Sequence, residues 1–215
     1  KEEHHVLKNP PARIGAFVFR TRNFTGMFGA LEDINSVAPV FVRYTFSNTS
    51  LLEPDSPPLS GLVSDIETSL SAVLPDGRMS LHFGPVVFFE GGSPEAALEP
   101  FRTVLRALRG KIRHCSVELY AGGPTLEKME DLAGRKIVFP FSGNFLPLMP
   151  DPFVSSVLGG MQDCAFETGI RLAAYGDYGL SAMDAFGFSR DQTIPYGELS
   201  RNDDYETLQL SGFRC

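Results

Sequence analysis

A short apolar run that closes on Gly or Asn, with a helix-like stretch beside it, recurs through this chain. It reads Val42-Arg43-Tyr44-Thr45-Phe46-Ser47-Asn48, Val86-Val87-Phe88-Phe89-Glu90-Gly91-Gly92, Val117-Glu118-Leu119-Tyr120-Ala121-Gly122-Gly123, Ile137 through Asn144, and Leu208-Gln209-Leu210-Ser211-Gly212-Phe213. Alternation of strand, turn and helix builds parallel sheet, because parallel neighbours need a long crossover connection between them. The expected fold is therefore α/β, made of strand-turn-helix units with a largely parallel sheet, in the form of an irregular solenoid or, as the alternative, a single α+β domain.

The 215 residues, 43% of them hydrophobic, suffice for a substantial core. Residues 1–13 end in Asn9-Pro10-Pro11 and read as a polar extended arm. Residues 14–215 read as one α/β domain, with 79–215 the more repeat-like part. Strands are expected at Ile14–Phe19, Val40–Phe46, Met79–Phe83, Val86–Phe89, Ile112–Tyr120, Lys136–Phe141, Ile170–Ala174 and Tyr205–Phe213. Helices are expected from Ser60 to Val73, from Thr125 to Ala133, from Asp151-Pro152 onward with Gly159-Gly160 as a break, and over Leu180–Phe186. Phe24–Val37 has helical spacing weakened by Gly26 and Gly29. The clearest helix opens at Ser93-Pro94-Glu95, a capping serine followed by a proline and an acid in the first turn, and runs to Gly110.

The net charge of −7 and pI near 5.1 argue against nucleic acid, whose binding needs a dense field of Lys and Arg. No apolar stretch approaches the roughly 20 residues that cross a bilayer, so no membrane partner is expected. Cys115, Cys164 and Cys215 form no Cys-x-x-Cys pair, which fits a reducing, cytoplasmic setting. Two glycosylation triplets, at Asn23 and Asn48, keep a secreted or lumenal setting open.

The terminal segment, with Leu208 and Leu210 at alternate positions and Cys215 near the turn, resembles the strand of an irregular leucine-rich repeat. Leu126, Met129 and Leu132 leading into Ile137, Phe139 and Asn144, and Leu105 and Leu108 leading into Val117 and Leu119, follow the same plan. Such repeats occur in the substrate-binding part of F-box proteins. The resemblance implies a protein-recognition surface.

No segment reads as a nucleotide loop, a dinucleotide fingerprint or a serine-hydrolase elbow, so neither a cofactor nor a metal is expected. Arg102, Arg106, Arg109 and Arg113 recur at helical steps opposite Leu98, Phe101, Leu105 and Leu108, a basic stripe of about three turns able to meet an acidic protein partner. The leading expectation is thus a recognition module or scaffold without catalysis, binding a protein through the strand-side rim or loops. One alternative is a small-molecule, hydrolase-like enzyme with its pocket at the carboxyl ends of the strands, where Gly91, Gly122, Gly143 and Gly176 gather the loops and Glu90, Asp177 and His114 supply acid or base. Another is a structural subunit of a larger assembly. Adjacent His114 and Cys115 point to opposite faces of a strand and are not expected to work together, whereas His82 and His114 could approach across neighbouring strands.

Overall fold

The computed structural model describes residues 14–49, 58–72, 78–120, 122, 126–138, 152–175, 183–184, 186–190 and 206–210. The polar arm, the segment around Asp177, most of the carboxyl-terminal acidic cluster and Cys215 lie outside them. Strands and helices alternate along the chain: β1 (Ile14–Thr21), α1 (Phe28–Val37), β2 (Val40–Phe46), α2 (Leu59–Ala72), β3 (Met79–Val86), β4 (Phe88–Phe89), α3 (Pro94–Ala107), β5 (His114–Leu119), α4 (Leu126–Ala133), β6 (Ile137–Val138), α5 (Pro152–Thr168), β7 (Arg171–Ala174), β8 (Ser189–Arg190) and β9 (Glu206–Leu210).

Seven strands form one sheet in the order β8-β7-β5-β3-β2-β1-β9, and every neighbouring pair in it is parallel. The expected α/β class holds. From β1 to β8 the strand order never reverses, so the sheet is wound in one direction, as in a barrel, and not outward from a central switch point. β9 then returns to the edge beside β1, where Phe17 aligns with Leu208. A solenoid adds each strand at the growing edge, and this return is not of that kind.

Two expected strands fall elsewhere. The Ile137 run pairs antiparallel with β4 in a small second sheet, away from the parallel one. Gly84-Pro85 does not divide two strands: β3 runs through it to Val86, and a register shift against β5 takes up the irregularity.

Alternation along each strand sorts the side chains onto two faces. Phe17, Phe19, Val42, Tyr44, Leu81, Phe83, Cys115 and Val117 belong to the main core with Leu98, Phe101, Val104 and Leu105 of α3 and Val154, Val157, Leu158 and Met161 of α5. Helix α3 forms because its apolar residues fall on one stripe and its first turn is capped, with Ser93 Oγ accepting from the Ala96 N–H at 3.1 Å. Helix α5 runs unbroken through Gly159-Gly160. The reason lies on its neighbour: a β-carbon at Gly160 would stand 2.5 Å from Leu98 Cδ1 and 3.2 Å from Arg102 Nη2, so this glycine allows α3 to approach.

A candidate site on the concave face of the sheet

The second face of the sheet carries Arg20, Arg43, His82, Ser116 and Glu118, each one position away from a core residue. Register makes Arg20 a partner of Arg43, and His82 a partner of Ser116. His82, Ser116 and Arg43 are buried. Their cover comes in part from the curl of the sheet itself. Tyr175, directly after β7, donates its backbone N–H to Val117 O at 2.8 Å and so continues the strand by one residue. Its phenol oxygen accepts from Arg20 Nη1 at 3.2 Å, although β5, β3 and β2 stand between β7 and β1.

Three groups converge on the Tyr175 ring. The guanidinium carbons of Arg20 and Arg43 lie 5.2 and 5.3 Å from its centroid, distances at which a cation is attracted by the π face. The His82 ring meets it edge-on at 4.8 Å. The imidazole is held on both nitrogens, with Nδ1 2.9 Å from Ser116 Oγ and Nε2 3.0 Å from Glu118 Oε2.

Burial pushes the His82 pKa down; the hydrogen bond to Glu118 opposes that, and the Arg20 charge adds to it, so the ring is neutral near pH 7. A neutral ring carries a single N–H, and a carboxylate can only accept. The hydrogen therefore sits on Nε2, which donates to Glu118, while the Ser116 hydroxyl, with Leu81 O 3.3 Å away as a second acceptor, gives its one hydrogen to the nearer Nδ1. This tautomer is assigned from the bonding pattern. The Glu118 carboxylate is 37% exposed, against 1% for His82, and forms the open end of the relay. Gly84 makes room for it: a β-carbon there would lie 2.7 Å from Glu118 Cβ and 2.9 Å from Glu118 O.

All these groups sit in the middle or at the carboxyl ends of their strands, the end at which open α/β sheets and barrels place their ligands. The fixed carboxylate can accept or return a proton, and the two guanidinium groups can hold negative charge.

The residues singled out in the sequence are distributed differently. Glu90 is exposed in the turn after β4, and His114 opens β5 at its amino end, away from Glu118. His82 belongs to the cluster, but His114 does not join it there. Among the described residues no group of three or more His, Cys, Asp or Glu could hold a metal ion. Cys115 is buried beside exposed His114, as the alternation required.

The arginine stripe is shorter than its spacing suggested. Helix α3 ends at Ala107, so Arg109 lies in the turn that follows and Arg113 just ahead of β5. Arg102 is half-buried near Gly160 of α5. Arg106 donates through Nε and Nη2 to the two carboxylate oxygens of Glu167 at 3.2 and 3.0 Å. No helix among the described residues is long and apolar enough to cross a membrane.

The chain belongs to the family described as a domain of unknown function (DUF1848), whose model matches residues 1–138. That match spans β1 to β6 and includes Arg20, Arg43, His82, Ser116 and Glu118, while Tyr175 lies beyond it. No curated protein and no solved structure matches the chain.

Proposed function

We propose that the concave face is the active site of a small-molecule enzyme, hydrolase-like in its use of acid and base, in which Glu118 exchanges a proton with substrate or an attacking water. The observation that carries this reading is the relay from Ser116 through His82 to Glu118, two buried polar groups holding one accessible carboxylate at the carboxyl end of β5. General acid–base catalysis needs a carboxylate at a fixed position within hydrogen-bond reach of the reacting group. Hydrolysis is the simplest reaction that these groups support unaided.

The test is to incubate the full chain with a pool of phosphorylated and carboxylated metabolites and follow each by mass spectrometry. Wild-type protein depletes at least one compound, and Glu118→Gln, with an unchanged circular dichroism spectrum, loses that activity by about 10²-fold or more. No depletion by wild type, or equal turnover by the variant, refutes the reading.

Recognition of a protein partner through the arginines is the second reading. In its favour, Phe166 is 94% exposed on α5, next to the Glu167 that holds Arg106. Replacing Arg102 and Arg106 by Glu is expected to remove a partner from a pull-down; an unchanged partner list rejects this site.

A further inference from the structure

We propose that the ligand of the concave site enters with an anionic group, a phosphate or carboxylate, seated on Arg20 beside the Tyr175 ring. The proposal rests on the active-site reading above for its location, while the anchoring depends on different atoms from the proton relay.

Arg20 is the exposed member of the cluster, so its guanidinium stands at the open rim. Of its five N–H groups, one hydrogen bond is made to a described residue, that to Tyr175, and no carboxylate among the described residues forms an ion pair with it. The contact with the phenol ring and the Nη1 bond to its hydroxyl hold the guanidinium in place, and its Nε and Nη2 N–H groups bond to no described residue. A planar, pre-oriented fork suits the two oxygens of a carboxylate or phosphate.

The neighbouring charges favour the same ligand. Arg20 and Arg43 are register partners on adjacent strands, and like charges placed directly opposite each other are unfavourable. Glu118 is the carboxylate that the described part of this face sets near them through His82. A bound anion answers the charge of Arg20 at the rim. It also places the remainder of the ligand over His82 and within reach of Glu118.

Isothermal titration of the full chain at low ionic strength, with inorganic phosphate and separately with malonate, tests the proposal and separates the two anion chemistries. At least one of them is expected to bind saturably. Arg20→Gln should weaken that binding by about tenfold or more, with Arg20→Lys in between, since it keeps the charge and loses the fork. Glu118→Gln should bind the anion equally or more tightly because it removes a negative charge. Retained binding in Glu118→Gln with no turnover by wild type leaves the anchor standing and removes only the acid–base reading. Absence of saturable binding by both anions, or unchanged affinity in Arg20→Gln, overturns the anchor. So does an equal loss in Arg106→Gln, which would move the anion to the helical surface.

Discussion

Arg20 and Tyr175 touch at 3.2 Å although their strands stand four positions apart in the sheet. In a flat sheet that separation is about 19 Å at the usual strand spacing, longer than the two side chains laid end to end. The sheet must therefore curl, and the curl converts one of its faces into a concave wall. Parallel strands wound in a single direction accumulate their twist in this way. Curvature, more than any single residue, assembles the candidate site.

The relay predicts a pH dependence with a definite sign. Because the His82 pKa in the folded chain lies below its unfolded value of about 6.5, the unfolded chain binds the extra proton as pH falls. Stability is then complete above about pH 6.5 and declines below it, by up to about 1.4 kcal/mol per pH unit from this one group. Urea denaturation between pH 7 and 5 should show that His82→Gln reduces the slope. An identical slope in the variant would place the effect elsewhere.

Gly84 is expected to tolerate no side chain. Gly84→Ala brings a β-carbon against Glu118 Cβ and the Glu118 backbone, at 2.7 and 2.9 Å, and overpacking of this kind costs about 1–3 kcal/mol. The variant should show a lower denaturation midpoint together with reduced turnover. Unchanged stability would mean that β3 and β5 are further apart here.

Asn48 ties the end of β2 to the link between β3 and β4. Its side chain donates to Val87 O at 2.6 Å and accepts from the Val87 N–H at 2.9 Å. Asn48→Ala leaves both backbone groups of buried Val87 without that partner, at an expected cost of about 1–3 kcal/mol in chemical denaturation. The amide nitrogen that a glycan would occupy is engaged in this clamp. Expression in a glycosylating host should therefore leave Asn48 unmodified in intact-mass and peptide analysis.

Arg106→Ala is expected to have little effect on stability. Arg106 and Glu167 are 56% and 49% exposed, and solvent screening leaves such surface pairs little net effect on stability. A larger loss in the denaturation midpoint would show that the pair helps to hold α3 against α5.

Much of the architecture was legible from local chemistry. The Ser93-Pro94-Glu95 start of α3 and the apolar runs of β1, β2, β5 and β7 follow from capping and burial, which neighbours in sequence decide. What was not legible depended on distant contacts. Gly159-Gly160 reads as a break until Leu98 of α3 is seen against it, and the Ile137 run reads as parallel sheet until β4 is seen beside it. The arginine spacing overstated the stripe, because the helix stops before Arg109.

The site was harder to see because five strands and their ends supply it, across residues 20 to 175. One signal was present. Parallel strands covered on both faces read as continuous apolar runs, whereas Val42-Arg43-Tyr44, Leu81-His82-Phe83 and Val117-Glu118-Leu119 each set a polar residue between two apolar ones. Charges at alternate positions in several strands of one sheet mark a shared polar face. A pocket at the carboxyl ends of the strands was expected to use Glu90, Asp177 and His114; among the described residues the polar cluster contains His82 and Glu118 and neither Glu90 nor His114, and Asp177 lies outside them.

Convergence across the curled sheet is most directly tested by a double-mutant cycle between Arg20→Gln and Tyr175→Leu, read as unfolding free energy in urea. Groups that meet as these do should be coupled by about 0.5–2 kcal/mol. Additivity within about 0.3 kcal/mol would mean that the two residues do not meet, and the concave site would not exist in solution.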